Sequence, residues 1–164
     1  MSTAPALRAI GPQDGPRTFL GTVGVRFILD AADTGGGFSL VEHPMGPRAL
    51  AAPLHRHRHE DEYSFVVSGR IGALLGDDVV EAAAGDLVLK PRGEWHTFWN
   101  AGDEPARVLE IISPGGFEEL FRALGDAGGL ARATPEQMAE LGRRHAIDID
   151  PESIPALCER FALR

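Results

Sequence analysis

Cysteine is nearly absent from this 164-residue chain: the single thiol, Cys158, cannot build an intramolecular disulfide framework and fits a reducing compartment. Long apolar runs are missing too, and no stretch approaches the roughly 20 residues that a membrane-spanning helix needs. Met1 to Ile10 holds neither a basic cluster nor an apolar run of signal-peptide length, so no secretory leader is visible. Basic charge is scarce: 16 Lys and Arg stand against 24 Asp and Glu, a net charge of −8. Arg56 and Arg58 are too few, and too close to Glu60 and Asp61, to reverse that balance locally. Nucleic acid is therefore not expected as a partner. No internal repeat is long enough to suggest two copies of one unit. The expectation is a soluble, cytoplasmic chain with no membrane partner.

What is present is ordinary globular composition, 43% hydrophobic and 24% charged, at a length suited to one domain with one core. Residues 1–18 are rich in Pro, Gly and small side chains and read as an arm. Residues 19–114 carry short β-rich runs separated by turn signals every 8 to 12 residues, which indicates an all-β barrel or sandwich. Among these runs Phe38 to His43 alternates, with Phe38, Leu40 and Glu42 on one side and His43 on the other, as an ordinary polar residue at a strand end. Residues 115–164 change period. Phe117, Leu120, Phe121 and Leu124 have helical spacing, Thr134-Pro135-Glu136-Gln137 is an N-cap sequence for a second helix, and Ile154, Leu157 and Phe161 form the stripe of a third. The whole is read as a β-barrel with a C-terminal α-helical extension packed on it, either as plain cover or as a lid over the mouth.

The chemistry gathers in Pro53-Leu54-His55-Arg56-His57-Arg58-His59-Glu60-Asp61-Glu62. On an extended strand, alternate residues share a face, so His55, His57 and His59 fall on one side. Glu62 lies at an odd offset from His57 and rejoins that side only if a turn intervenes. Tyr63-Ser64-Phe65-Val66-Val67 then runs as a strand to Ser68-Gly69. Imidazoles and a carboxylate entering a sheet need something that offsets their desolvation, and a metal ion is the best-matched partner. A second stretch, Gly85 to Asn100, reads as strand, tight Pro91-x-Gly93 turn, and a strand headed by His96.

Taken together these two stretches resemble the cupin motifs. His55-x-His57-x4-Glu62-x6-Gly69 matches the first motif, apart from Ala49 where that pattern opens with Gly. Gly85, Pro91, Gly93, His96 and Asn100 match the second, and fifteen residues, Arg70 to Ala84, separate the two. The resemblance covers roughly residues 38 to 113 and extends to small single-domain bacterial cupins of quercetin-dioxygenase type. It implies a double-stranded β-helix, the jelly-roll barrel. It further implies one divalent transition metal (Fe, Mn, Ni, Co, Cu or Zn) on His55, His57, Glu62 and His96. His59 aligns with no ligand and is read as rim. By the same resemblance the protein is a metal-dependent dioxygenase acting on a small organic substrate, with Glu62 also able to act as a catalytic base. Ser64, Val66 and Phe98 are pocket candidates by strand parity. A homodimer is implied, pairing through barrel sheets or through Val23 to Leu29. The competing class is a non-catalytic cupin that senses or stores a metal or small molecule. A sugar isomerase is weaker, for want of a basic cluster at pocket-facing positions.

Overall fold

Period-two sequence becomes strand throughout the first two-thirds of the chain. A computed structural model describes residues 9–164, so the first eight residues of the expected arm lie outside the described part. The strands run β1 (Arg17–Phe19), β2 (Gly24–Leu29), β3 (Ser39–Met45), β4 (Leu54–His57), β5 (Asp61–Ser68), β6 (Arg70–Leu75), β7 (Asp78–Ala83), β8 (Leu87–Lys90), β9 (His96–Asn100) and β10 (Ala106–Ser113). They are followed by α1 (Glu118–Asp126), α2 (Pro135–Arg144), β11 (Ile147–Asp150) and α3 (Ser153–Phe161). Two antiparallel sheets face each other, one ordered β1-β2-β3-β10-β5-β8 and the other β11-β4-β9-β6-β7. This is the jelly-roll barrel with a C-terminal helical part.

Strand parity decides what the barrel encloses. On β5 the inward set is Glu62, Ser64 and Val66, and on β10 it is Val108, Glu110 and Ile112, all buried. Strand β3 turns Val41, His43 and Met45 inward, while Glu42 sits on the other face bound to Arg26 and Arg107. His43 is thus an interior residue in mid-strand, not the strand-end polar group its sequence position suggested.

The helices close the two flanks of this barrel. Leu120 and Leu124 of α1 pack with Val25 and Phe27 of β2 and Ile112 of β10 in one apolar cluster. Helix α2 starts as its sequence requires: the Thr134 hydroxyl accepts the Gln137 N–H, and Gln137 Oε1 accepts the Thr134 N–H. Helix α3 lays Phe161 on the outer face of β9, where its ring stacks on Trp99 at 4.0 Å. The Trp99 indole in turn lies against β6 at Gly72, so close that a Cβ there would come within 2.4 Å of the ring. Only glycine admits that approach.

Two expectations are corrected here. The segment from 115 onward is not purely helical, because Ile147–Asp150 forms β11 and pairs with β4, placing Ile147 opposite His57 and Ile149 opposite His55. Its alternation of Ile and Asp is a four-residue β pattern, hidden between two helical stripes. Strand β2 lies between β1 and β3, so Val23 to Leu29 offers no free edge for pairing across a dimer axis. No helix among the described residues is long and apolar enough to cross a membrane.

Candidate metal centre

Three strands from both sheets deliver the site. His55 and His57 come from β4 and His96 from the adjacent β9, where it is His55's Cα partner. Glu62 comes from β5 in the opposite sheet. The chain bends at Arg58 and His59 between β4 and β5, which resets the parity and turns Glu62 inward while His59 stays exposed. The Pro91-x-Gly93 turn is tied to the same strand, since the Gly93 N–H donates to the His57 carbonyl at 2.8 Å and Gly93 takes φ 80°. One ligand atom from each of His55, His57, Glu62 and His96 lies within 4.8 Å of the others, and all four residues are buried.

Hydrogen bonding fixes which imidazole nitrogen faces the centre. His55 Nδ1 donates to the Pro53 carbonyl at 2.8 Å and His96 Nδ1 to the Glu94 carbonyl at 3.0 Å. His57 Nδ1 meets the Glu60 carboxylate at 3.3 Å. Each outer nitrogen therefore holds the proton, and each Nε2 presents a lone pair inward. His57 Nε2 is buried without a hydrogen-bond partner, 3.4 Å from Glu62 Oε1. His96 Nε2 stands 3.1 Å from Glu62 Oε2. Lone pairs that face a carboxylate in a buried site repel it unless a cation lies between them. The residues fit a divalent metal.

The electrostatics point the same way. Burial, together with His96 and His57 nearby, holds the His55 imidazole well below its usual range. Burial likewise lowers His96, against the pull of Glu62. Burial pushes the Glu62 carboxyl up, but Lys90, His57 and His96 outweigh it and hold it well below the ordinary carboxylate range. His55 and His96 are therefore held as neutral imidazoles and Glu62 as an ionised carboxylate, the protonation states that metal binding requires.

Beneath Glu62 lies an ionic network that the motif residues do not include. Lys90, the only lysine in the chain, is Glu62's Cα partner on β8. Its ammonium is 3.0 Å from Glu62 Oε2 and 2.8 Å from Glu110 Oε1. Ser64 donates to the Glu110 carboxylate at 2.9 Å, so it serves this network and does not line the cavity. Burial drives Glu110 up to about 7 against Lys90 and Ser64, which favour its ionised form. Both charges had a sequence signal: Lys90 follows Val88, and Glu110 separates Val108 from Ile112, at inward parity. A charge at a core-facing position implies a buried partner. Glu60 carried a weaker sign, three residues after a histidine whose outer nitrogen needs an acceptor.

Above Glu62 the barrel opens into a cavity of about 60 Å³ walled by His43, Phe98, Phe117, Leu120 and Phe121. Phe117 stands edge-on to the His57 ring at 4.2 Å. Phe98, a pocket candidate, is on this wall, whereas Val66 lies in the apolar cluster with Ile71, Val88 and Val108.

Burial holds the His43 imidazole down at about 4, so it is neutral between Phe98 and Phe121. Its folded-state value lies below the unfolded value of 6.5. The stability it contributes is full above pH 6.5 and is lost as pH falls towards 4, because the unfolded chain takes up the proton first. The shift corresponds to about 3 kcal/mol. Urea denaturation of metal-free protein at pH 7 and at pH 4.5 is expected to show a fall that His43→Phe reduces. An equal fall in both proteins would refute this role.

The cupin domain model matches residues 42–112. An uncharacterized protein of Streptomyces coelicolor is 38% identical over 55 residues, 34% of this chain and 51% of that protein. The chain thus spans about half the length of the curated relative it matches. Among solved structures, KdgF from Halomonas sp. superposes with a TM-score of 0.59 at 14% identity, covering 67% of this chain and 96% of that one. The polyketide cyclase RemF from Streptomyces resistomycificus gives 0.56 at 25% identity over 65% and 78% of the two chains. A predicted oxalate decarboxylase from Thermotoga maritima gives 0.53 at 22% identity over 56% and 80%.

Proposed function

The chain belongs to the cupin superfamily, and from that premise we propose that it is a metal-dependent, dioxygenase-type oxidoreductase acting on a small organic substrate in the barrel. The observation that carries this reading is the convergence of three inward Nε2 lone pairs and one carboxylate on the floor of an apolar cavity. Held by His55, His57, Glu62 and His96, a divalent transition metal would supply Lewis-acidic and redox chemistry at the cavity floor. The chain's own residues do the rest. Phe98, Phe117 and Phe121 exclude water, Lys90 keeps Glu62 anionic, and Glu62 Oε1 or Oε2 can hold a proton taken from the substrate. Among the described residues no arginine lines the inner cavity, and Lys90 is paired with two carboxylates, which weighs against a sugar phosphate.

The test is anaerobic loading with Fe(II), Mn(II), Ni(II), Co(II), Cu(II) or Zn(II), followed by O2 uptake with β-diketones, flavonols and thiols. Uptake that needs both metal and one substrate class is expected. Tight binding of such compounds with no O2 consumed under any metal would instead make the protein a binding cupin.

We further propose a cytoplasmic homodimer. The single cysteine supports the location. Phe65, Leu87 and Leu89, exposed on neighbouring strands at the β8 edge, support the assembly. Light scattering at micromolar concentration should give about twice 17.6 kDa, and Leu87→Glu should return it to that single-chain mass. A wild-type particle of one chain's mass would refute the dimer.

A further inference from the structure

We infer that the substrate of this centre is a molecule with a flexible aliphatic chain, whose small oxygen-bearing head reaches the metal while the chain lies in an outer groove. This rests on the metal-centre reading and names the substrate class for it. The inner cavity, about 60 Å³, is too small to hold more than a head group. It is not closed. Leu20, Val23, Ala51, Pro53, Ile147 and Ile149 line both it and a groove of about 980 Å³ on the outside of the barrel, so the two spaces adjoin across these side chains, and the ligand passes between them.

The groove exists because of the C-terminal segment: β11 and Pro151 form one wall, and α2 with Leu130 to Ala133 forms the other. Its surface is aliphatic, from Leu50, Leu130, Met138 and Ile154, and small, from Ala131 and Ala139. Among the described residues no aromatic side chain lines it, although three phenylalanines line the inner chamber. A planar polycycle would gain stacking from aromatic walls. A flexible chain needs only apolar area, and it can bend through a neck. Of the charges at the groove's rim, Arg58 is paired with Asp148 and Arg143 with Glu140, while Arg164 also stands at the rim.

Sodium n-alkanoates of four, eight and twelve carbons, titrated calorimetrically into Co(II)-loaded protein, test the proposal. Affinity should rise about threefold to fourfold per methylene until the groove is full, with a change in the visible Co(II) spectrum that reports the head at the metal. Ala139→Trp and Ala131→Trp block the groove from exposed positions remote from the ligands. They should weaken the twelve-carbon acid at least about tenfold and leave the four-carbon acid and the metal content unchanged. Circular dichroism and melting temperature verify that each variant is folded, and the two variants check each other.

Affinity independent of chain length, or equal losses for short and long acids in both variants, would overturn the proposal. So would a change in oligomeric mass in the variants with no chain-length effect, which would make the groove a contact with a second copy. A chain-length dependence that survives in metal-free protein, with no spectral change on binding, supports the groove and rejects the metal-centre reading.

Discussion

Replacing His57 by Ala is expected to weaken metal binding by at least about 100-fold, while His59→Ala leaves it nearly intact. The two side chains are two residues apart in one polar run, and strand parity alone treats them alike. In the folded chain His57 is fully buried on β4 with an inward Nε2 that hydrogen-bonds to nothing, while His59 is exposed at the bend. Removing His57 takes away one of the four candidate ligand atoms. Its hydrogen-bond partner offers a graded check. Glu60→Ala removes the acceptor that orients the ring, and loss of such an outer partner costs about 10–100-fold in affinity. Metal per protein after identical loading, and titration with a competing chelator, measure all three. Equal large losses at 57 and 59 would show that the register of β4 is shifted.

The second large effect is on stability. Lys90→Met is expected to destabilise metal-free protein by about 3–5 kcal/mol, because it leaves Glu62 and Glu110 buried without their shared cation. Part of the cost is relieved by protonation: burial already holds Glu110 near 7 with Lys90 present, so without the ammonium it stays neutral at pH 7. Glu62 has less relief, because its carboxyl starts well below the ordinary carboxylate range. Adding Glu110→Gln to Lys90→Met should therefore recover little, whereas loading the metal should recover more, since the ion replaces the missing positive charge beside Glu62. Urea midpoints of the single and double variants, with and without metal, decide this. A loss below about 1 kcal/mol for Lys90→Met would mean that the ion cluster is not coupled to the fold.

Much of the barrel, and the convergence of His55, His57, Glu62 and His96, was legible, and the reason is local. The Pro91-x-Gly93 turn, the bend after His57 and the alternation along β5 and β10 are encoded within a few residues each, so reading parity forwards leads to the right faces. His43 was misplaced because its strand runs on through Pro44 to Met45, and a proline inside a strand reads as an end. Strand β11 was missed because four residues of alternating Ile and Asp are too short to compete with the helical stripes on either side.

The sequence by itself determined the barrel and the grouping of the candidate donors: two motifs at fixed spacing, strands of period two, and turn residues that set each strand's direction. Only the tertiary structure decided what stands around those donors. Lys90 meets Glu62 because β8 pairs with β5, and Ser64 meets Glu110 because β5 pairs with β10. The groove exists because β11, more than 80 residues beyond β4 in the chain, returns to pair with it. Such pairings between distant segments follow from the packing of whole sheets, and no short stretch of sequence specifies them.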